Sequence, residues 1–295
     1  MSAHFSLSND TDYRAWRTAK LANYPKHVDE LIVPINDPRA LNAIEIRALE
    51  DRCTRTNMAL YYAPSLPAAD KSVPHQFAKQ LGLEQLEGNY LADEDGLSSI
   101  TPADKEEQGR GEYIPYTHKP INWHTDGYYN APDRRILGML LHCVQDADSG
   151  GENALLDPDI AYIQLRDTRP ECVAALMQPD AMTIPARMDE GGIARPTQSG
   201  PVFSVDNAED FLHMRYTART RSIEWKQDAL TQAAIKTLSE IVNDSEYVLH
   251  ARLVSGMGLI CNNILHTRTA FTDRPQRRRL LYRGRYYDRL KFPFS

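Results

Sequence analysis

The 295-residue chain lacks a basic excess: 34 Lys and Arg stand against 40 Asp and Glu, for a formal charge of −6. Binders of nucleic acid or of acidic membranes need a basic face, so neither class is favoured. Cysteine is scarce. Cys53, Cys143, Cys172 and Cys261 are widely spaced and form no CxxC pair, which argues against a disulfide framework and fits a reducing cytoplasm. Long apolar runs are missing too. The most apolar stretch, Ile136 to Val144, is interrupted by Gly138 and His142, and nothing is long enough to cross a bilayer. The N-terminal segment is polar from its second residue and lacks the apolar core of a secretion signal. No internal repeat and no low-complexity linker is present. What is there is an ordinary globular mix, 42% apolar and 25% charged, in a chain long enough to bury a core without disulfide or metal staples.

The pattern changes along the chain. Asp10 can cap a helix over about 11–24 that Pro25 stops, and Leu41, Ile44, Ile46 and Leu49 mark one face of a helix over about 41–56. A short strand, Met58 to Tyr62, follows. Residues 84–112 read as an acidic loop, with Asp93 to Asp95 and Glu106-Glu107 as solvated clusters. Short apolar runs broken by turns then indicate strands at 113–116, 121–125, 136–144 and 154–156. Short helices are expected over 158–167 and 169–177, and short strands with turns at Gly191-Gly192 and Ser199-Gly200-Pro201 over 180–225. The loop 84–112 and the stretch 180–205 are candidate lids. An amphipathic helix covers about 226–243, and strands are expected at 246–253, 258–265 and 279–287. Helices first, then many short strands with one helical insert, suggest an antiparallel sandwich or jelly roll with helices outside.

Two features carry chemistry. His124-Thr125-Asp126 can offer a nitrogen and an oxygen to one ion, because residues two apart in a strand share a face. Alone, such a pair arises by chance. His266 ends an apolar run after the Gly256/Gly258 turn, twelve residues before Arg279, which opens the next expected strand. Adjacent antiparallel strands could set that His and Arg side by side. Two imidazoles and one carboxylate fill one face of an octahedral ion and leave three positions open, a set suited to non-haem Fe(II) and O2. A bidentate keto acid fits two of those positions, and an Arg fork suits its far carboxylate.

At this point the chain resembles the Fe(II)/2-oxoglutarate-dependent dioxygenases of the TauD/TfdA group, which includes gamma-butyrobetaine hydroxylase-like enzymes. The matching residues are His124, Asp126, His266 and Arg279, the strand and Gly-Gly turn from Leu140 to Asp157, Leu265 to Phe271, and Arg279 to Arg283. The likeness covers about 113–156 and 246–287 well. It implies an α+β fold, a double-stranded β-helix (jelly roll) with flanking helices. One oxygenase domain is expected over 1–295, with a helical part and loop to about 112 packed on a core from about 113. It implies Fe(II), 2-oxoglutarate and O2 as cofactor and co-substrates, with His124, Asp126 and His266 as catalytic metal ligands. Arg279 would hold the 2-oxoglutarate C5 carboxylate while an unactivated C–H bond is hydroxylated, or otherwise oxidised, with release of succinate and CO2. Halogenating members have a small residue where this chain has Asp126.

The family commonly has Thr or Ser after the Gly-Gly-acid turn, to help hold 2-oxoglutarate. Asn153 stands there, and Thr117 and Ser149 are alternatives. Arg277 and Arg278 read as a solvated loop end before Arg279. The family's substrates include amino acids, betaines and sulfonates, and a small polar molecule is expected. Arg283, Tyr128, Tyr129 and Arg215 are the candidate substrate residues, with Trp123, Arg219 and Arg221 close in sequence. Arginines suit an anion, whereas Tyr and Trp could cage a quaternary ammonium. Core or lid packing is the alternative for the tyrosines, and surface salt bridging for Arg215, Arg219 and Arg221. His142 reads as a hydrogen-bonded core histidine. Other readings are a metal-binding jelly-roll hydrolase or isomerase, and a non-catalytic 2-oxoglutarate or metal sensor. Homo-oligomer formation stays open.

Overall fold

The computed structural model describes residues 3–64, 68–88, 92–103, 110–189 and 192–293. Glu106-Glu107 and Gly191 lie outside the described residues, as do parts of both candidate lids. The helices are α1 (Asp10–Ala22), α2 (Ala43–Thr56), α3 (Ser72–Gln80), α4 (Pro158–Thr168), α5 (Pro170–Leu176) and α6 (Ala229–Asp244). Among the described residues no helix is long and apolar enough to cross a membrane.

One compact unit comprises residues 25–122, 136–155 and 249–295. A six-stranded sheet runs in the order β1 (Ile32–Pro34), β2 (Met58–Tyr62), β16 (Met257–Cys261), β5 (Gly138–Gln145), β19 (Leu280–Tyr286) and β3 (Ser98–Ile100). Only β1 and β2 are parallel; the other pairings are antiparallel. A four-stranded sheet has the order β15 (Leu249–Ala251), β7 (Asn153–Leu156), β17 (Leu265–Arg268) and β4 (Ile121–His124), and β6 (Ser149–Gly150) pairs with β18 (Phe271–Thr272). The strands bury Ala59, Tyr61, Leu140 and Ile260 against Leu49 and Cys53 of α2 and Phe77 of α3. This is an α+β jelly roll. His142 is buried between the Tyr61 hydroxyl (2.8 Å) and the Ala68 carbonyl (3.0 Å), the core histidine expected.

Capping chemistry sets the helix ends. Asn42 accepts hydrogen bonds from the Ile44 and Glu45 amides while the Glu45 carboxylate accepts one from the Asn42 amide, so α2 starts at 43 and Leu41 lies before it. Ile44 falls outside the apolar face and is 81% exposed. Residues 114–116, expected as a strand, form a 3-10 turn with Pro115 inside it. Asp93 is not a solvated charge. Burial alone would raise its pKa, but Lys71 (2.7 Å), Ser99 and Arg110 (2.8 Å) hold it down to about 2.

The largest departure is at Asn262-Asn263. The run 258–265, expected as one strand, is two strands in different sheets. Asn263 takes the left-handed conformation (φ 51°), and its buried side chain donates to the Ile136 carbonyl at 2.8 Å. Asn is one of the few residues that tolerate this conformation. The chain turns there, leaving β16 in the large sheet and starting β17, with His266, in the small one.

The other unit comprises residues 3–24, 123–135 and 156–248 among those described. Asn9, one residue before the expected cap, accepts from the Asp12 amide to open α1. The buried Lys20 of α1 donates to Asp157, the N-cap of α4, and to Asp159, each at 2.7 Å. Short strands complete the unit. They are β8 (Met182–Ile184) between β11 (Gln198–Gly200) and β14 (Glu224–Trp225), the hairpin β9 (Arg187–Asp189) with β10 (Gly192–Arg195), and β12 (Phe203–Asp206) with β13 (Phe211–Met214). Ser199 and Gly200, expected in a turn, belong to β11.

Candidate active site

His124 is the last residue of β4, and Asp126 sits just beyond it. Thr125 pins this corner: its amide donates to the Tyr216 carbonyl (3.0 Å), and its hydroxyl accepts from the Tyr216 amide (3.1 Å). Gly127 turns the chain with φ 67°, a conformation that other residues resist. His266 lies in β17, the neighbour of β4 in the four-stranded sheet. Ligand atoms of His124, Asp126 and His266 all lie within 4.8 Å of one another. His124 is half-buried, and Asp126 and His266 are buried. His266 Nδ1 is 3.1 Å from the Ile264 carbonyl. A carbonyl only accepts, so Nδ1 carries the proton and Nε2 keeps its lone pair.

Arg279 is 5% exposed, whereas Arg277 and Arg278 are exposed. Burial lowers its pKa, with Cys143 and Asp273 acting the other way. Its main-chain amide donates to Asp273 (3.0 Å), but its guanidinium has no hydrogen-bond partner among the described residues. It is not delivered by strand pairing with His266, since β17 and β19 belong to different sheets. It precedes β19 and lies over the Phe271 ring at 5.0 Å. Gly151, at φ 75°, leaves it room, because a Cβ there would come within 3.3 Å of Arg279 Nε.

Arg268 lies over the same ring at 4.9 Å and is the contrasting case. It donates to the carbonyls of Pro115 (2.9 Å), Ile114 (3.3 Å), Thr117 (2.7 Å) and Lys119 (2.6 Å), tying down the segment before β4. Burial, then Arg279, brings its pKa down to about 9. The Thr117 hydroxyl donates to the Ile114 carbonyl (2.9 Å) and accepts from the Lys119 amide (3.2 Å). The Asn153 amide nitrogen donates to the Thr267 carbonyl (2.7 Å), and its Oδ1 is buried with no hydrogen-bond partner. Ser149 pairs with Thr272 at 2.7 Å. Arg283 is half-buried in β19, opposite Ser98 and Leu141.

Tyr128 and Tyr129 follow the Asp126 corner edge to face, with ring centroids 5.2 Å apart. Arg215 donates to four carbonyls, Tyr128 (2.7 Å), Met182 (2.9 Å), Gln198 (2.9 Å) and Gly200 (3.5 Å). Burial and then Arg195 lower its pKa to about 10. Arg219 donates to the Tyr128 hydroxyl at 2.8 Å. Arg195 was not singled out by the sequence, yet its guanidinium lies 5.5 Å from the Tyr129 centroid. Its only sequence signal is its place across the Gly191-Gly192 turn from Arg187.

The profile of the taurine catabolism dioxygenase TauD, TfdA family matches residues 65–284. A uridine-5'-phosphate dioxygenase from an Amycolatopsis species is 32% identical over 170 residues, 56% of this chain and 60% of that relative. One from a Streptomyces species is 29% identical over 195 residues, 63% of this chain and 68% of the relative. The solved structure of a putative alpha-ketoglutarate-dependent taurine dioxygenase from Burkholderia xenovorans superimposes with a TM-score of 0.60 at 18% identity, over 90% of this chain and 93% of that one. The fold is thus that of the Fe(II)- and 2-oxoglutarate-dependent dioxygenases, which use O2 as co-substrate. The chain belongs to the TauD/TfdA family.

Proposed function

We propose that this chain, acting as one oxygenase domain, hydroxylates a C–H bond of a small anionic molecule. His124, Asp126 and His266 hold Fe(II), and Arg279 holds the far carboxylate of 2-oxoglutarate. The observation that carries the reading is the convergence of three ligand atoms within 4.8 Å. Two neutral imidazoles and a carboxylate suit Fe(II) and leave three positions open. When bound, iron and 2-oxoglutarate supply the oxidising power, with succinate and CO2 as by-products. The chain's residues bind and orient. The Ile264 carbonyl fixes the His266 tautomer, so Nε2 is the nitrogen with a lone pair that would bind the ion. Arg279 is a buried cation without a hydrogen-bond partner among the described residues, which is costly until a carboxylate arrives. The second amide hydrogen of Asn153 is a remaining donor for the co-substrate. Thr117 serves the turn before β4.

The substrate's charge is read from the tyrosines. A cation already lies over Tyr129, and another bonds the Tyr128 hydroxyl. A betaine's quaternary ammonium would meet like charge there, so an anionic substrate is favoured over the betaines. Sulfonates, anionic amino acids and phosphate esters remain, the last represented by the compound that names two relatives. Arg283 faces the substrate from β19.

The test is anaerobic addition of Fe(II) and 2-oxoglutarate. A weak visible charge-transfer band is expected, and Asp126→Ala or His266→Ala abolishes it. A wild-type protein with no band and no 2-oxoglutarate-dependent O2 uptake would end this reading. A metal hydrolase on the same ligands would be indifferent to Arg279→Ala.

A further inference from the structure

Arg187 and Arg195 face each other across the β9–β10 hairpin. Arg195 reaches the Tyr129 ring, and Arg219 holds the Tyr128 hydroxyl from the segment after β13. Burial disfavours the charged form of Arg195; Tyr128 and Tyr129 act the other way, and the nearby Arg187 and Arg219 add smaller unfavourable effects. Among the described residues neither Arg195 nor Arg219 forms an ion pair. Arg195 has one hydrogen bond, from Nη2 to the Pro185 carbonyl at 2.9 Å, and its Nε is buried with no partner. A half-buried cation such as Arg195, with an orphaned Nε, no ion pair among the described residues and a second cation at the neighbouring ring, is best completed by an anion. Tyr128 is two residues past Asp126, so its Cα lies within about 7.6 Å of that of the metal-ligand candidate. That span is within the length of a nucleotide.

We infer that Arg195 and Arg219, backed by Arg187 and seated on Tyr128 and Tyr129, form the subsite for a phosphate monoester on the substrate. The inference rests on the oxygenase reading for its purpose but not for its test. A planar fork matches two phosphoryl oxygens, and a dianion answers several cations better than a monoanionic sulfonate or carboxylate does. Arg215 has four of its donors on main-chain carbonyls, so it shapes the subsite rather than entering it.

The experiment is calorimetric titration of the full chain, loaded anaerobically with Fe(II) and 2-oxoglutarate, with uridine 5′-phosphate, uridine, taurine and inorganic phosphate. The phosphate ester is expected to bind at least about 10-fold more tightly than uridine and taurine, and inorganic phosphate to compete with it. Arg195→Gln and the more exposed Arg219→Gln should each weaken the ester by about 10- to 100-fold, leave uridine unchanged and keep the charge-transfer band. Equal affinity for ester and nucleoside, no binding of either, or wild-type ester affinity in both variants would overturn the inference. Loss of the band in the wild type would instead defeat the oxygenase reading, whatever the ester does.

Discussion

Two regions of this molecule use arginine in the same paired way. Around Phe271, Arg268 gives its two Nη groups to four main-chain carbonyls, its Nε staying without a partner, while Arg279, over the same ring, has none of its side-chain donors engaged among the described residues. Around Tyr128 and Tyr129, Arg215 donates to four carbonyls while Arg195 donates to one, that of Pro185. The regions differ in depth. Arg279 is almost wholly buried, whereas Arg195 is half-buried and Arg219 exposed. A deep cation with idle donors suits a ligand that is the same in every turnover. A shallow, multi-residue group suits a ligand that is recognised near the surface.

The comparison can be broken by changing one arginine at a time. Arg279→Gln should raise the KM for 2-oxoglutarate by about 30- to 1000-fold, the scale of losing one partner of a buried charge pair, with little change in the unfolding midpoint. Steady-state succinate formation measures it, and a lowered midpoint with unchanged KM would make Arg279 structural. Arg268→Met should do the reverse. It leaves the Pro115, Thr117 and Lys119 carbonyls without this donor and should cost about 3 kcal/mol in urea unfolding, because each buried orphan acceptor is expensive. Arg215→Gln should cost about 2 kcal/mol, less than Arg268 because it is less buried. The smallest effect is at Asp93, outside both regions. Its pKa is about 2 in the fold against an ordinary 3.8, so the unfolded chain takes up the proton first as pH falls. Its contribution is full above that ordinary value and is lost as pH falls towards about 2. Allowing for solvent screening, Asp93→Asn should cost about 1 kcal/mol at neutral pH and nothing at the acid end, read from unfolding curves across that window.

The Phe271 region was the more legible in sequence. His266, Arg268 and Arg279 sit within fourteen residues, and Arg279 is buried beside exposed Arg277 and Arg278, although it precedes β19 instead of opening that strand as the sequence pattern predicts. What sequence could not show was the corner at Asn263, since an apolar run looks continuous whether or not one Asn within it turns left-handed. Nor could it show that Arg279 lies over the Phe271 ring beside Arg268 and not on a strand paired with that of His266. The Tyr128 region was harder. Arg195 is 66 residues from Tyr129 and reaches it only through a hairpin whose strands are three and four residues long. Local periodicity carries no signal at that range.

The corner at Asn263 also limits how this chain can vary. Side chains alternate along a strand, so one residue inserted or deleted between Cys261 and Leu265 would turn the His266 imidazole to the opposite face while leaving its composition intact. This two-asparagine hinge has to keep its length for as long as His266 is to stand beside His124 and Asp126.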